Sequence, residues 1–267
     1  MKYGASTLMK GTVEQFFDRA RASFEVVEVV CDSPYQNPLD VNADFLNSVS
    51  RSLGTQFTVH CPFVNADIGS LDGAVRERSV RGVLDTIELG AAIGALLVVV
   101  HPTRGTRGSL EERDKVRSLE RESLVRIHER AVERGLKMCV ENMPSGSAFA
   151  DKSLASGVMH LVKGLNGVGA TFDVGHANTT TVPAQTMARH FGSLIGHVHV
   201  HDNRGAQDEH LEIGLGTVDW KEVVASLVEL KYDGILLDES LNVEAARRGL
   251  AHLKRLVEEA QGLEQRN

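Results

Sequence analysis

The sequence has no surplus of basic residues: Lys and Arg total 29 against 36 Asp and Glu, a formal net charge of −7. That disfavours a broadly basic nucleic-acid surface, although a local patch can persist against a negative total. No apolar run approaches the length that crosses a bilayer; the strongest, Ala95 to Val100, suits a buried strand. The opening residues Met1-Lys2-Tyr3-Gly4-Ala5 lack the apolar core of a secretion signal. The three cysteines, Cys31, Cys61 and Cys139, are an odd number without zinc-type spacing, and they read as reduced thiols of a cytoplasmic protein. No linker, low-complexity tract or shift in composition divides the chain. No dinucleotide loop follows the first apolar run, because Ser6-Thr7-Leu8-Met9-Lys10-Gly11 is not G-x-G-x-x-G. With 42% hydrophobic and 24% charged residues in 267, neither disorder nor a coiled coil is indicated, and a large core is affordable.

What the chain does have is a rhythm. Short apolar runs recur at Lys2 to Ala5, Phe24 to Val30, Gln56 to His60, Ala95 to His101, Leu136 to Glu141, Gly167 to Asp173, Leu194 to Val200 and Gly234 to Glu239. Most are rich in Val, Ile and Leu without polar alternation, as expected of parallel strands covered on both faces. Helical patterns lie between them, among them Leu71 to Gly90, Leu110 to Arg134 and Trp220 to Leu230, the last with Asp219 as its N-cap. Gly90, Gly94 and Gly135 stand where helices are expected to stop. Eight strands alternating with eight helices over residues 1–267 predict one closed (β/α)8 TIM barrel, rather than an open doubly wound sheet.

The carboxyl ends of these strands present His60, His101, Glu141, Asp173 with His176, His199, and Glu239, and the loop after the seventh adds Asp208 and His210. In a barrel all strands end on one face, so these side chains are expected to converge. Imidazoles with carboxylates suit a divalent metal, with zinc or manganese foremost. Glu141, Asp173 and Glu239 would neutralise such an ion, and Glu141 is placed to bridge two. A lone histidine at a strand end is more often an ordinary hydrogen-bonded residue; the ordered series carries the metal reading. His128, His160, His190 and His252 fall in helical stretches and are expected to face solvent. His197, His199 and His201 share one side of a strand, with His199 the ligand, His197 interior packing, and His201 a substrate contact or a support.

The series resembles the xylose isomerase-like TIM barrels, which include sugar isomerases, sugar epimerases and the apurinic/apyrimidinic endonuclease IV family. The resemblance covers nearly the whole chain. It rests on Val140-Glu141-Asn142, Phe172-Asp173-Val174-Gly175-His176, His197-Val198-His199-Val200-His201-Asp202-Asn203, Asp208-Glu209-His210 and Gly214-Leu215-Gly216. By resemblance to the endonuclease family, His60, His101 and Glu141 would hold one metal. Glu141, Asp173, His199 and Glu239 would hold a second, and His176, Asp208 and His210 a third. By resemblance to the epimerases a single ion would use the second set, with His176 meeting substrate. One to three ions are therefore expected.

Two chemistries compete. The first is isomerisation or epimerisation of a sugar, sugar phosphate or related hydroxy-carbonyl compound through an enediol, with Glu141 and Glu239 moving the proton. His176, Asn142, His201 and Arg204 would orient hydroxyl groups, Phe63 would close the pocket, and Arg104 with Arg107 would meet a phosphate. No lysine follows Glu141 at the spacing of true xylose isomerases, which favours proton transfer over hydride shift. The second is metal-dependent cleavage of DNA at an abasic site, with Phe63 as a wedge. Against it, the stretch from Cys31 to Asp40 carries no basic residue to meet phosphates. A non-catalytic, metal-stabilised binding barrel is a third reading. Charge balance and compact loops favour the small carbohydrate; DNA is a partner only under the second chemistry. No membrane partner is expected, and a homo-oligomer is allowed.

Overall fold

The computed structural model describes residues 1–8, 11–20, 24–32, 37–103, 108–146 and 151–264. Its eight strands are β1 (Lys2–Ser6), β2 (Val26–Val30), β3 (Gln56–His60), β4 (Leu97–Val100), β5 (Lys137–Glu141), β6 (Gly169–Asp173), β7 (Ile195–Val200) and β8 (Ile235–Asp238). All pairings are parallel, and β1 pairs with both β2 and β8, which closes the barrel. The hydrogen-bonded strands are shorter than most of the apolar runs that mark them, because the runs continue into the turns. Arg104 and Arg107 lie outside the described residues.

The helices are α1 (Val13–Ala20), α2 (Ala43–Leu53), α3 (Gly73–Ala92), α4 (Leu110–Glu133), α5 (Ala155–Val162), α6 (Val174–Asn178), α7 (Ala184–Phe191), α8 (Trp220–Glu229) and α9 (Val243–Glu264). Asp219 caps α8 by accepting from the Glu222 N–H at 3.1 Å. Ser109 and Glu112 form a reciprocal capping box on α4. Gly94 and Gly135 adopt positive φ just past helix ends, as expected of C-terminal glycines. Gly90 differs: it lies inside α3, where an added Cβ would stand 3.0 Å from both Val59 and Leu136. Its role is close approach of the helix to the barrel rather than termination.

Nine helices, not eight, occur among the described residues, because α6 is a one-turn insert directly after β6. Asp173 builds it: its Oδ1 accepts from the His176 N–H at 2.6 Å, so the aspartate caps the turn that carries the histidine.

Strand alternation sets the interior. The large apolar cluster lies between strands and helices, and two small clusters, Val26 with Ile235 and Leu237, and Leu97 with Val99 and Cys139, are separate from it. These residues share strand parity with Glu28, His60, Glu141 and His199, so all project into the barrel. The barrel is thus apolar low down and ionisable toward the carboxyl ends of its strands. The three thiols are free and buried, and burial pushes Cys31 and Cys139 up to about 12. His160 and His190 are exposed, whereas His128 and His252 are half-buried rather than solvent-facing.

Candidate metal centre

Glu141, at the end of β5, is the hub. Its Oε2 lies 3.4 Å from His60 Nε2 and 3.1 Å from His101 Nε2. Its Oε1 lies 3.3 Å from His176 Nδ1 and 3.4 Å from His199 Nδ1. One carboxylate therefore faces two separate groups of imidazoles, the geometry a bridging ligand requires.

A second group gathers on His199 Nδ1, which lies 3.8 Å from Asp173 Oδ2 and 3.6 Å from Glu239 Oε1. A third is built on Asp208, whose Oδ2 lies 3.1 Å from His176 Nε2 and 3.2 Å from His210 Nε2. The structure thus brings together all nine residues His60, His101, Glu141, Asp173, His176, His199, Asp208, His210 and Glu239. His201 packs among them. Its ring stacks on His210 with centroids 4.0 Å apart, and its Nε2 lies 3.3 Å from Asp173 Oδ1.

The donor set fits divalent cations. Glu141, Asp208 and Glu239 line one partly closed cavity, with Asp173 buried beside them, and no Lys or Arg lines it among the described residues. Buried carboxylates need compensating charge, which here comes only from imidazolium groups or from bound ions. Several close contacts also lack hydrogen-bond alignment, including those of Glu141 Oε2 and His199 Nδ1. Donors that face one another without sharing a proton suit coordination better than pairing. Three-member groups with donor atoms within 4.8 Å of one another include His60, Glu141 and His199, and also Asp173, His199 and Glu239.

The charges hold one another in place. Burial would lower His60 and His201, but Glu141 raises the first and Asp173 the second to about 9. Against burial, Glu239, Glu28 and Glu141 hold His199 well above its ordinary value. Asp173, Asp208 and Glu141 do the same for His176. His101 goes the other way, because burial outweighs Glu141. Glu141 is held well below the usual carboxylate range, where His101 and His199 overcome burial.

Above the donors lies a cavity of about 440 Å³. Ionisable side chains form the smaller part of its wall; the larger part is apolar, with Leu8, Pro62, Phe63, Ile68, Met143 and Leu241 among its residues. Phe63 sits edge-on to His60 with ring centroids 5.3 Å apart, and Asp32 Oδ2 accepts from its N–H at 3.0 Å.

Three residues expected at the substrate are placed elsewhere. Arg204 is 63% exposed and tied to Glu209, with N–H to Oε2 at 2.8 Å and guanidinium to Oε1 at 2.5 Å. Asn142 is buried and its amide is spent on Asp173, donating to the carbonyl at 3.0 Å and accepting from the N–H at 2.9 Å. It therefore positions Asp173. His201 is fully buried among the donors and is not one of the residues of the cavity wall. Gly175 makes room for it: a Cβ there would stand 1.9 Å from the His201 ring.

Several supporting residues escape sequence reasoning. Asp202, buried, accepts from Trp220 Nε1 and Gly214 N–H through Oδ2, both at 2.9 Å, and from Asn203 and Val218 N–H through Oδ1 at 2.9 and 3.2 Å. Its backbone pairs with Leu211 in an isolated bridge, which shapes the loop presenting Asp208 and His210. His210 adopts a φ of 49°, a left-handed conformation that costs free energy and is imposed by this loop. Glu120 and Lys152 form a buried ion pair just beyond His101. Glu28, a lone carboxylate in the Val-rich β2, had a readable signal in its odd chemistry among Val26, Val27, Val29 and Val30.

A closed (β/α)8 barrel with buried imidazoles and carboxylates at the carboxyl ends of its strands defines a TIM-barrel protein with a candidate metal centre where such folds place their active sites. The chain belongs to the xylose isomerase-like TIM barrel family, which matches residues 17–256. It is 31% identical over 266 residues to an uncharacterized protein of Methanocaldococcus jannaschii, covering 97% of this chain and 90% of that one. It is also similar to the crystal structure of a D-tagatose 3-epimerase-like protein, at 29% identity and a TM-score of 0.91, covering 98% of this chain and 99% of that one. An L-ribulose 3-epimerase structure aligns at 19% identity and a TM-score of 0.84, covering 99% and 97%, a likeness of fold alone. No helix among the described residues is long and apolar enough to cross a membrane.

Proposed function

We propose that the protein is a divalent-metal-dependent epimerase or isomerase of a small hydroxy-carbonyl sugar, acting by proton transfer through an enediol. One observation carries this reading. His199 Nδ1 stands 3.4 Å from Glu141 Oε1 and 3.6 Å from Glu239 Oε1, so two carboxylates from opposite parts of the barrel flank one ligand position beneath the cavity. Asp173, with these three, completes the set that would hold the ion, which is zinc or manganese by the chemistry of its donors. When bound, the ion polarises the substrate carbonyl and acidifies the neighbouring C–H.

The chain's own residues supply the rest. One of Glu141 and Glu239 removes the proton from the carbon beside the carbonyl. The other carboxyl returns a proton to the opposite face for epimerisation, or to the former carbonyl carbon for isomerisation. His176 and His210, both on the cavity wall, are placed to hold substrate hydroxyl groups. Leu8, Phe63 and Met143 exclude water from the reacting carbon. The likeness to the D-tagatose 3-epimerase-like structure supports the sugar class.

The test is solvent deuterium exchange. Metal-loaded protein incubated with a panel of ketoses in D₂O should incorporate one deuterium at the carbon next to the carbonyl, read by mass spectrometry and NMR. No exchange into any ketose or aldose would overturn the reading. The Asp208 group favours a second reading, hydrolysis of a phosphodiester at an abasic site, since it adds a third set of donors to the two around Glu141. Metal-dependent nicking of an abasic-site oligonucleotide, lost in Glu141→Gln, would establish that activity instead.

A further inference from the structure

Beneath the metal centre lies a second, drier layer of ionisable groups. Glu28, in the middle of β2, is fully buried, and its strand neighbours are all valines. Its Oε2 accepts from Thr58 Oγ1 at 3.0 Å and lies 3.2 Å from His197 Nε2. Its Oε1 lies 3.1 Å from His199 Nε2. An ionised carboxylate inside a barrel is costly, and a fifth valine would fill the same strand without that cost. Its presence asks for a reason beyond packing.

The reason is legible on the far side of His199. That ring's other nitrogen, Nδ1, faces three carboxylates: Glu141 at 3.4 Å, Glu239 at 3.6 Å and Asp173 at 3.8 Å. A neutral imidazole carries one N–H and one lone pair. Glu28 Oε1 stands 3.1 Å from Nε2 without hydrogen-bond alignment. With a cation at Nδ1 the ring's proton is left on Nε2, facing that carboxylate, and the lone pair points at the three carboxylates that would hold the ion. A neutral ring turned this way is favourable with a cation among those carboxylates. A histidine that binds a metal through one nitrogen commonly donates its other N–H to a carboxylate, which fixes the tautomer and raises ligand basicity.

We propose that Glu28 is a positioning residue of the metal centre, orienting His199 with its proton on Nε2 so that Nδ1 is the ligand atom. This rests on the metal-dependent reading above. Thr58 and His197 both engage the other carboxylate oxygen, Oε2, which fixes the orientation in which Oε1 faces His199. Positioning of the centre thus begins inside the barrel, on a strand that contributes no ligand to it.

The test compares Glu28→Gln with the unaltered protein, both stripped of metal, by titration with Mn²⁺ in a calorimeter and with Co²⁺ followed by visible absorption. Glu28→Gln should weaken metal affinity by about 10–100-fold and alter the Co²⁺ ligand-field bands. If that variant does not fold, long-range ¹H–¹⁵N correlation spectra of the zinc-loaded unaltered protein read the same quantity: His199 should be protonated at Nε2 and metal-bound at Nδ1. Equal affinity and an unchanged spectrum in Glu28→Gln, or metal on His199 Nε2, would overturn this inference while leaving the function reading intact. Loss of one whole equivalent of metal, with the rest bound as tightly as before, would make Glu28 itself a ligand and overturn the positioning role. No metal bound by the unaltered protein would overturn both.

Discussion

Lys152 Nζ lies 2.9 Å from Glu120 Oε2, with the two side chains 3% and 0% exposed, and the pair grips one peptide segment between them. Glu120 Oε1 accepts from the Thr103 N–H at 2.6 Å, and Lys152 Nζ donates to the Thr103 carbonyl at 2.9 Å. Thr103 is two residues past His101. Lys152 also accepts through its own carbonyl from the Met143 N–H at 3.0 Å, two residues past Glu141. A buried ion pair in α4 and the loop before α5 thereby anchors the exits of β4 and β5, where His101 and Glu141 stand. Breaking it one-sidedly leaves an uncompensated charge, so Lys152→Met should cost about 3–5 kcal/mol. Urea denaturation should show that loss, and adding Glu120→Leu should recover much of it.

Glu239 borders the cavity and is one of the two carboxylates flanking His199 Nδ1. Glu239→Gln preserves shape and removes the base. On any sugar that passes the deuterium test, kcat should fall by about 10²–10⁴-fold, with circular dichroism and thermal midpoint unchanged. Full retained activity would remove Glu239 from the proton-transfer pair.

Metal binding should be strongly pH-dependent. In the metal-free protein His60 and His201 titrate at about 9, because Glu141 and Asp173 overcome the opposing effect of burial. Below that pH these imidazoles are cations, and a divalent ion held beside them by Glu141 and Asp173 repels their protons. The sign follows: affinity should rise with pH up to about 9, and binding at neutral pH should release protons. Calorimetric titrations with Mn²⁺ in buffers of different ionisation enthalpy measure the number released. Heats independent of buffer would contradict the proton competition.

Asp202 holds the third donor group without touching it. Its carboxylate accepts from four donors, including the Trp220 indole and the Gly214 N–H, and its backbone pairs with Leu211 beside His210. Hydrogen bonds to a charged group contribute about 1.5–3 kcal/mol each. Asp202→Ala should therefore destabilise the fold by several of these and loosen the loop that carries Asp208 and His210. Limited proteolysis should then cut near 204–210, where the unaltered chain resists.

Much of the fold was legible because its determinants are local. Strand parity put Glu141, Asp173 and His199 on one side of their strands, and parallel alternation put their ends on one face. The D-x-x-H spacing from Asp173 to His176 announced a relation but not its form, a one-turn helix capped by the aspartate. Gly90 misled for the opposite reason: a glycine inside a helix and one at its end look alike until the neighbouring strand is in place.

Roles that depend on depth were not legible. Asn142, His201 and Arg204 all looked like groups for hydroxyls, yet one is spent on backbone, one is buried among the donors and one is tied to Glu209 at the surface. Glu28, Glu120 and Lys152 lie far from their partners in sequence and follow no motif. Chain order and residue type settle which atoms reach the carboxyl end of the barrel, because alternation and strand direction are local properties. Barrel closure decides which of them touch, since it alone brings β2 against β7 across the interior and fixes how much water each charge keeps.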